Sequence, residues 1–308
     1  MSFPVATGRP NYSGNFIPEI WSGKLIANYY DATVLSAISN TDYEGEIKNS
    51  GDTVNIRTTP TVTIRNYVKG QSLTVENPDN PKLQLLIDKG KYFACNADDV
   101  DKIQADVNLM DMWARDASEN MKIAIDSDIL TDILPDIGAF NKGLTAGEQS
   151  ASFNLGTSGS PLTVTKDGAG GTVSVTDLIV DLGTVLDEAN SPEQNRYLVI
   201  PAKMAGLIKK SELKDASLSG DGISLVRNGR LGMIDRFTLY VSHNLSVSSG
   251  KYNLIAGHKS GFTFASQLTK VETVPSQTTF GNIIRGLQVF GSKVVKPEAI
   301  AQSVVQFA

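Results

Sequence analysis

Few sequence features limit a fold as sharply as a helix too long for an ordinary globular core, and the stretch from Asp88 to Leu134 is patterned as one. Asn96 suits an N-cap, Asp98, Asp99 and Asp101 place negative charge where the helix dipole favours it, and Pro135 supplies the stop. Between these signals Val100, Ile103, Val107, Met110, Ala114, Ala117, Met121 and Ala124 alternate at spacings of three and four, and the stripe continues through Ile125, Ile129 and Ile133. The spacing predicts one helix of about forty residues, roughly 55 Å at ~1.5 Å per residue. Asp128 falls where a coiled-coil knob should go and the stripe shifts at Ile125, which suits a curved spine lying across a sheet better than a helix pair. Asp101, Asp106, Asp111, Asp116, Glu119, Asp126, Asp128 and Asp132 lie mostly off the stripe and read as a solvated face rather than a metal site.

Around this spine the pattern mixes strands and helices. Residues 1 to about 17 are rich in Pro and Gly and poor in apolar residues, the composition of an extended arm that needs something to tie it down. Pro18 opens a helix running to about Ile38. Thr53–Arg57 and Thr61–Arg65 alternate with period two, and after a turn at Asn77–Pro81 a strand returns through Leu83–Ile87. A projecting two-stranded ribbon is marginal in water, so its third layer is expected on another molecule. Residues 138–172, rich in Gly, Ser and Thr, read as a surface insertion with at most short strands. Thr176 is expected to cap a helix carrying Leu178, Ile179, Leu182, Val185 and Leu186, followed by a buried strand Arg196–Ile200 and a helix from Ala202 to about Leu213 behind Pro201. A turn at Gly229–Gly232 leads into strands Phe237–Val241 and Tyr252–Ala256, and the tail Ile283–Phe307 is expected to close back on the spine. No regular βα repeat appears, so the fold class is α+β.

Little in the chain points to chemistry. His243 and His258 sit in separate segments beside turn residues, without a triad pattern. Gly257-His258-Lys259-Ser260 lacks the earlier glycine of a phosphate loop, no metal-ligand spacing occurs, and Cys95 has no cysteine partner. The reading is therefore no enzyme, no catalytic or metal residues and no cofactor. A net charge of -5 argues against a protein that grips phosphates by counterion release. The opening residues lack a signal-peptide pattern and no apolar run approaches ~18 residues, so no membrane partner is expected. An arm, a ribbon and an overlong helix are elements that complete themselves through contact with neighbours.

Three segments resemble the major capsid proteins of tailed bacteriophages, the Hong Kong 97-type capsid fold. Leu86-Ile87-Asp88-Lys89-Gly90-Lys91-Tyr92-Phe93 with Asp98-Asp99-Val100-Asp101 is similar to that family's junction between extended loop and spine helix. Asn228-Gly229-Arg230-Leu231-Gly232-Met233-Ile234-Asp235-Arg236-Phe237, with Val241-Ser242-His243-Asn244, resembles the turn and strand of its axial domain, and Arg285–Gly291 with Lys296–Ala299 its closing peripheral strands. The resemblance implies an N-terminal arm (1–20), an extended loop (46–93), a peripheral domain with the spine helix (94–137 and 263–308), the insertion (138–172) and an axial domain (173–262).

It implies equally a shell protein of the virion, assembled in the host cytoplasm as hexamers and pentamers into an icosahedral capsid around double-stranded DNA, which it binds without sequence specificity. The implied partners are copies of itself, a separate scaffolding protein, a portal and a decoration protein; the initiating Met1 favours a scaffold encoded apart from this chain. The ribbon would cross a neighbour's spine helix, with Val54, Ile56, Val62 and Ile64 as apolar contacts and Arg57, Arg65 and Lys69 facing acids such as Asp106 or Asp116; Lys69 is also the candidate for the lysine-to-asparagine cross-link of some relatives. The alternatives are a cellular encapsulin-like nanocompartment shell and a hydrolase.

Overall fold

A computed structural model describes residues 33–42, 53–57, 62–77, 82–98, 109–211, 232–276 and 281–308. Two large sheets and a separate two-stranded ribbon organise them. The larger is eight-stranded, built from β4 (Leu162–Thr165), β5 (Val173–Ser174), β6 (Arg196–Ile200), β7 (Met233–Ile234), β8 (Phe237–Val241), β9 (Val247–Ser248), β10 (Lys251–His258) and β13 (Ile300–Phe307). Its order is β5-β4-β13-β10-β6-β8-β7, with β9 paired to β10. The smaller sheet joins β3 (Lys89–Asp98), β12 (Gly281–Val294) and β11 (Phe262–Pro275), all antiparallel. With short α1 (Leu35–Ile38) and the spine α2 (Leu109–Asp132), α3 (Val175–Glu188) and α4 (Ala202–Lys210) complete an α+β fold.

The main core lies against the larger sheet. Every residue of β6 is buried, as the continuous apolar run Tyr197–Ile200 requires. Leu178, Ile179, Leu182, Val185 and Leu186 form the buried stripe of α3, which packs on β13 and touches α4. The cap of α3 is Ser174 rather than Thr176: β5 runs directly into the helix, and the Ser174 hydroxyl accepts from the Thr176 N–H at 3.3 Å.

The spine is a real element with a different start. Asn96 and Asp98 lie in β3, opposite Ile283 and Gly281 of β12, and α2 is described only from Leu109; residues 99–108 lie outside the described residues. Capping chemistry at Asn96 lost to ten consecutive ladder positions against β12, a long-range pairing invisible in local sequence. The later stripe is in place, with Ile125, Ile129 and Ile133 all buried, and Leu130 beside them. The spine packs on β3 and β12, and two ion pairs tie it there, Lys91 to Asp128 at 2.6 Å and Lys89 to Asp132, with a third, Lys293 to Asp136 at 2.7 Å, just beyond its end. Its end is capped by Lys142, whose ammonium donates to the Leu134 and Pro135 carbonyls at 3.3 and 3.0 Å.

Two further expectations are corrected. The 138–172 segment is not a surface insertion: Ala146, Leu155 and Val164 are fully buried, β4 pairs in parallel with β13, and the Val304 N–H donates to the Leu155 carbonyl at 2.8 Å. Its small residues serve close approach. A Cβ at Gly156 would overlap the Val304 carbonyl oxygen. The last strand, β13, sits between β10 and β4 inside the larger sheet, so residues 300–307 join the sheet of the 173–262 segment instead of closing on the spine.

The ribbon begins as expected, with β1 (Thr53–Arg57) antiparallel to β2 (Lys82–Leu86). Its second predicted strand, Thr61–Arg65, is absent over 62–65. The ribbon root crosses the smaller sheet so closely that a Cβ on Gly291 of β12 would overlap the Leu86 carbonyl. Gly291→Ala should therefore cost about 1–3 kcal/mol, because backbone cannot step aside as a flexible side chain can. Chemical denaturation of the purified subunit measures it.

Candidate assembly surface

The root and tip of the ribbon differ in physical state. At the root Ile56, Leu85 and Ile87 are buried with Ala265 of β11, and Val54, Leu83, Val289 and Val295 pack around them. Ile56 is thus buried by its own chain, which corrects its assignment to a neighbour, and Val54 packs half-buried beside it: the root of the ribbon finds a layer on β11 and β12. At the tip, residues 62–77, Val62, Ile64, Tyr67, Val68, Leu73 and Val75 are all more than half exposed, Ile64 at 90% and Val75 at 85%. Apolar side chains clustered on one projection are the mark of an interaction surface.

The tip is nevertheless shaped. Gly70 turns the chain with φ +89°, and the Gln71 N–H donates to the Val68 carbonyl at 3.0 Å. Across the two arms the Glu76 carboxylate accepts from the Thr63 backbone N–H at 2.7 Å and pairs with Arg65 at 3.4 Å. The Thr63 N–H foremost, assisted by Arg65, holds the Glu76 carboxyl below its ordinary range. Arg65 therefore already has a partner in its own chain. Lys69 lies exposed at the turn and forms no ion pair with a described residue. The Arg57 side chain and Asp106 lie outside the described residues, and Asp116 on the spine accepts from Asn120 at 3.0 Å.

A second exposed surface lies on the smaller sheet. Tyr92, Leu287 and Lys270 are neighbours across β3, β12 and β11, with Tyr92 at 80% exposure. Beside them Glu272 accepts from Lys270 at 2.7 Å and from Arg285 at 2.6 Å. The ribbon root covers this same sheet face nearer the body, through Val289.

Groups suited to catalysis do not converge. His258 Nδ1 lies 2.8 Å from Ser260 Oγ, but burial lowers its basicity, and the charges nearest it, Lys296 and Arg196, are cationic where a triad needs a carboxylate. His243 is exposed. Among the described residues no group of three or more His, Cys, Asp or Glu could hold a metal ion. No described helix is long and apolar enough to cross a membrane.

Comparison with known proteins shows the family to which the chain belongs. A family model described as phage capsid protein matches residues 80–303. The chain belongs to this family. Among solved structures, one of Mycobacterium phage Che8 aligns with 27% identity and a TM-score of 0.76, covering 94% of this chain and 97% of that one. The capsid of a native GTA particle aligns at 15% identity and TM-score 0.67, covering 96% and 97%. The capsid of Myoviridae phage XM1 aligns at 14% and 0.63, covering 93% and 96%. A search of curated protein sequences gives no match. The chain is a phage capsid protein with the tailed-phage capsid fold, a structural protein that assembles with copies of itself into the virion shell. Neither the nanocompartment nor the hydrolase reading is favoured.

Asp126 of this capsid protein, expected among the solvated acids of the spine, is 1% exposed. Its Oδ1 accepts from the Val34 and Leu35 N–H groups at 3.1 and 2.9 Å, and its Oδ2 from Asn244 Nδ2 at 2.7 Å. One carboxylate thus caps α1 and fastens both α1 and the 242–244 loop to the spine. The signal was present: Asp126 stands one turn before Leu130, which is fully buried, so that side of the helix faces inward too.

Burial raises the Asp126 pKa, with the bonds from Asn244, Leu35 and Val34 only partly offsetting it. Asp126→Ala, which orphans buried donors, should cost about 2–4 kcal/mol. Asp126→Asn should cost less, since its amide oxygen still accepts from α1 and Asn244 can flip. Because the folded pKa lies above the unfolded one, the titration favours folding most below the ordinary aspartate value near ~3.9, and that advantage is lost as pH rises through the folded value. Denaturant midpoints measured from pH 3.5 to 7 should therefore show wild type losing stability relative to Asp126→Asn as pH rises.

Proposed function

We propose that the subunit forms hexamers and pentamers that close into an icosahedral shell around double-stranded DNA, with the 62–77 tip as the link between neighbouring subunits. The observation that supports this is the tip itself: six large apolar side chains are exposed there, while the root of the same ribbon is packed. Burying each would contribute about 1.5–3 kcal/mol. Val62 and Ile64 would seat on an adjacent copy, across its spine helix and the sheet beneath, with Tyr67, Val68, Leu73 and Val75 around them. Arg57 and Lys69 would face acids such as Asp106 and Asp116, while Arg65 stays with Glu76 of its own tip. Exposed ion pairs supply only ~0–1 kcal/mol each, so apolar burial provides the strength and charge the register.

The remaining partners follow from the same reading. A scaffolding protein, a portal and a decoration protein complete the assembly, and a chain of net charge -5 encloses DNA without gripping it. Lys69, exposed at the turn, is the place for a covalent cross-link if the shell uses one, and the protein carries out no catalysis on other molecules. The units of the subunit would be an arm (1–20), the extended loop (46–93), a peripheral part containing the spine and an axial part (173–262), the last completed by β4 and β13.

Replacing residues 62–77 with a short Gly-Ser turn keeps the packed root and removes the tip. The variant should remain folded by circular dichroism and give no closed particles in negative stain; shells of normal size would overturn the role of the tip. Ile64→Asp and Val75→Asp should each weaken association by about tenfold or more, since tenfold corresponds to ~1.4 kcal/mol. Sedimentation velocity across a concentration series measures this.

A further inference from the structure

The tip of the ribbon carries a strand pattern without a strand. Val62-Thr63-Ile64-Arg65 alternates β-branched apolar residues with polar ones, yet residues 62–65 form no strand, whereas β1 and β2 pair along the root of the same ribbon. The backbone of the tip is also little used. Among the described residues its hydrogen bonds run from the Thr63 N–H to Glu76, from the Val68 N–H to the Gln71 side chain at 3.2 Å and from the Gln71 N–H to the Val68 carbonyl. Thr63 turns its N–H across to the opposite arm, so a strand through this segment turns the N–H groups of Val62 and Ile64 outward.

The smaller sheet carries the converse, a strand edge without a neighbour. Its order is β11-β12-β3, and no described strand pairs with the outer side of β3. The opposite edge, β11, is guarded in the ways that sheet edges usually are. The Asn40 carbonyl accepts from its Phe264 N–H at 2.9 Å, a bulge shifts its register between Ser266 and Leu268, and it ends in Pro275. β3 has no proline and no bulge, its register against β12 is unbroken, and its two lysines are drawn to Asp128 and Asp132 of the spine. On the face away from the spine, Tyr92 and Ala94 are exposed.

Resting on the tip's role as the link between subunits, we propose that residues 62–65 complete their strand on a second copy, adding to the outer edge of its β3 along Lys89–Cys95. Each side supplies the backbone donors and acceptors that the other lacks, and main-chain bonding fixes a register that apolar contact alone leaves loose. Val62 and Ile64 then lie beside Tyr92, on the face the spine leaves open, and gain a cross-strand aromatic neighbour. Within one chain the two do not meet: among the described residues no hydrogen bond joins 62–77 to β3.

Backbone pairing is tested at Ile64 in the full chain. Ile64→Pro removes the outward N–H and keeps an apolar side chain, whereas Ile64→Val keeps both. The Ile64 N–H bonds to no described residue, so both subunits should fold as wild type by circular dichroism. In sedimentation velocity Ile64→Pro should weaken association by about tenfold relative to Ile64→Val. Equal association of the two overturns strand addition while leaving the tip as the link intact, since that role stands or falls on the 62–77 replacement. Cross-linking of assembled particles in a Cys95→Ser background then locates the edge. Ile64→Cys should form a disulfide between subunits with Tyr92→Cys or Ala94→Cys, and not with Phe93→Cys on the opposite face. A disulfide within one chain, equal yields at all three positions or no disulfide overturns the proposal.

Discussion

Everything outside the larger sheet depends on the smaller one being covered on both faces. On one face the spine lies across β3 and β12, its Ile125, Ile129 and Ile133 turned inward and its Asp128 and Asp132 held by Lys91 and Lys89 of β3. On the other the ribbon root seals Ile56, Leu85 and Ile87 against Ala265 and Val289. Three long antiparallel strands with neither layer would expose apolar surface on both sides. With both, the sheet is buried under the spine and under the root of the ribbon, which it anchors.

The exposed tip contrasts with the packed root. In the ribbon the root is packed, while residues 62–77, turned at Gly70 and tied across by the bond from the Thr63 N–H to Glu76, leave six large apolar side chains in water. The subunit is stable in its body and incomplete at its edge. A shell protein needs that division, because the contacts that build the particle must be absent until a neighbour supplies them.

Much of this was legible in the chain before any coordinates. The ribbon strands at 53–57 and 83–87, the inward stripe on the spine, the buried Arg196–Ile200 strand and the α3 stripe all follow from periodicity, since each needs only the side chains of its own segment. The readings that failed share another cause. Asn96 looked like a cap but pairs with Ile283, nearly two hundred residues away, and the glycine-rich 138–172 segment looked like surface because small residues mark loops and close packing alike. Asp126 looked solvated because nothing in its neighbourhood announces that two backbone amides and an asparagine from distant segments would meet it.

The sequence by itself determined several of the strands and helices, the ribbon strands, the later spine, β6 and α3 among them, which of their faces seek burial, and, through its family signature, that the chain builds a phage shell. Only the tertiary structure decided which of those faces are satisfied within the chain. Val54 and Ile56 carry the same alternating pattern as Val62 and Ile64, yet the first two pack against β11 and β12 and the last two reach solvent. Periodicity records that a side chain will be buried, but the partner that buries it is set by distances between segments remote in sequence, and those exist only once the chain has folded.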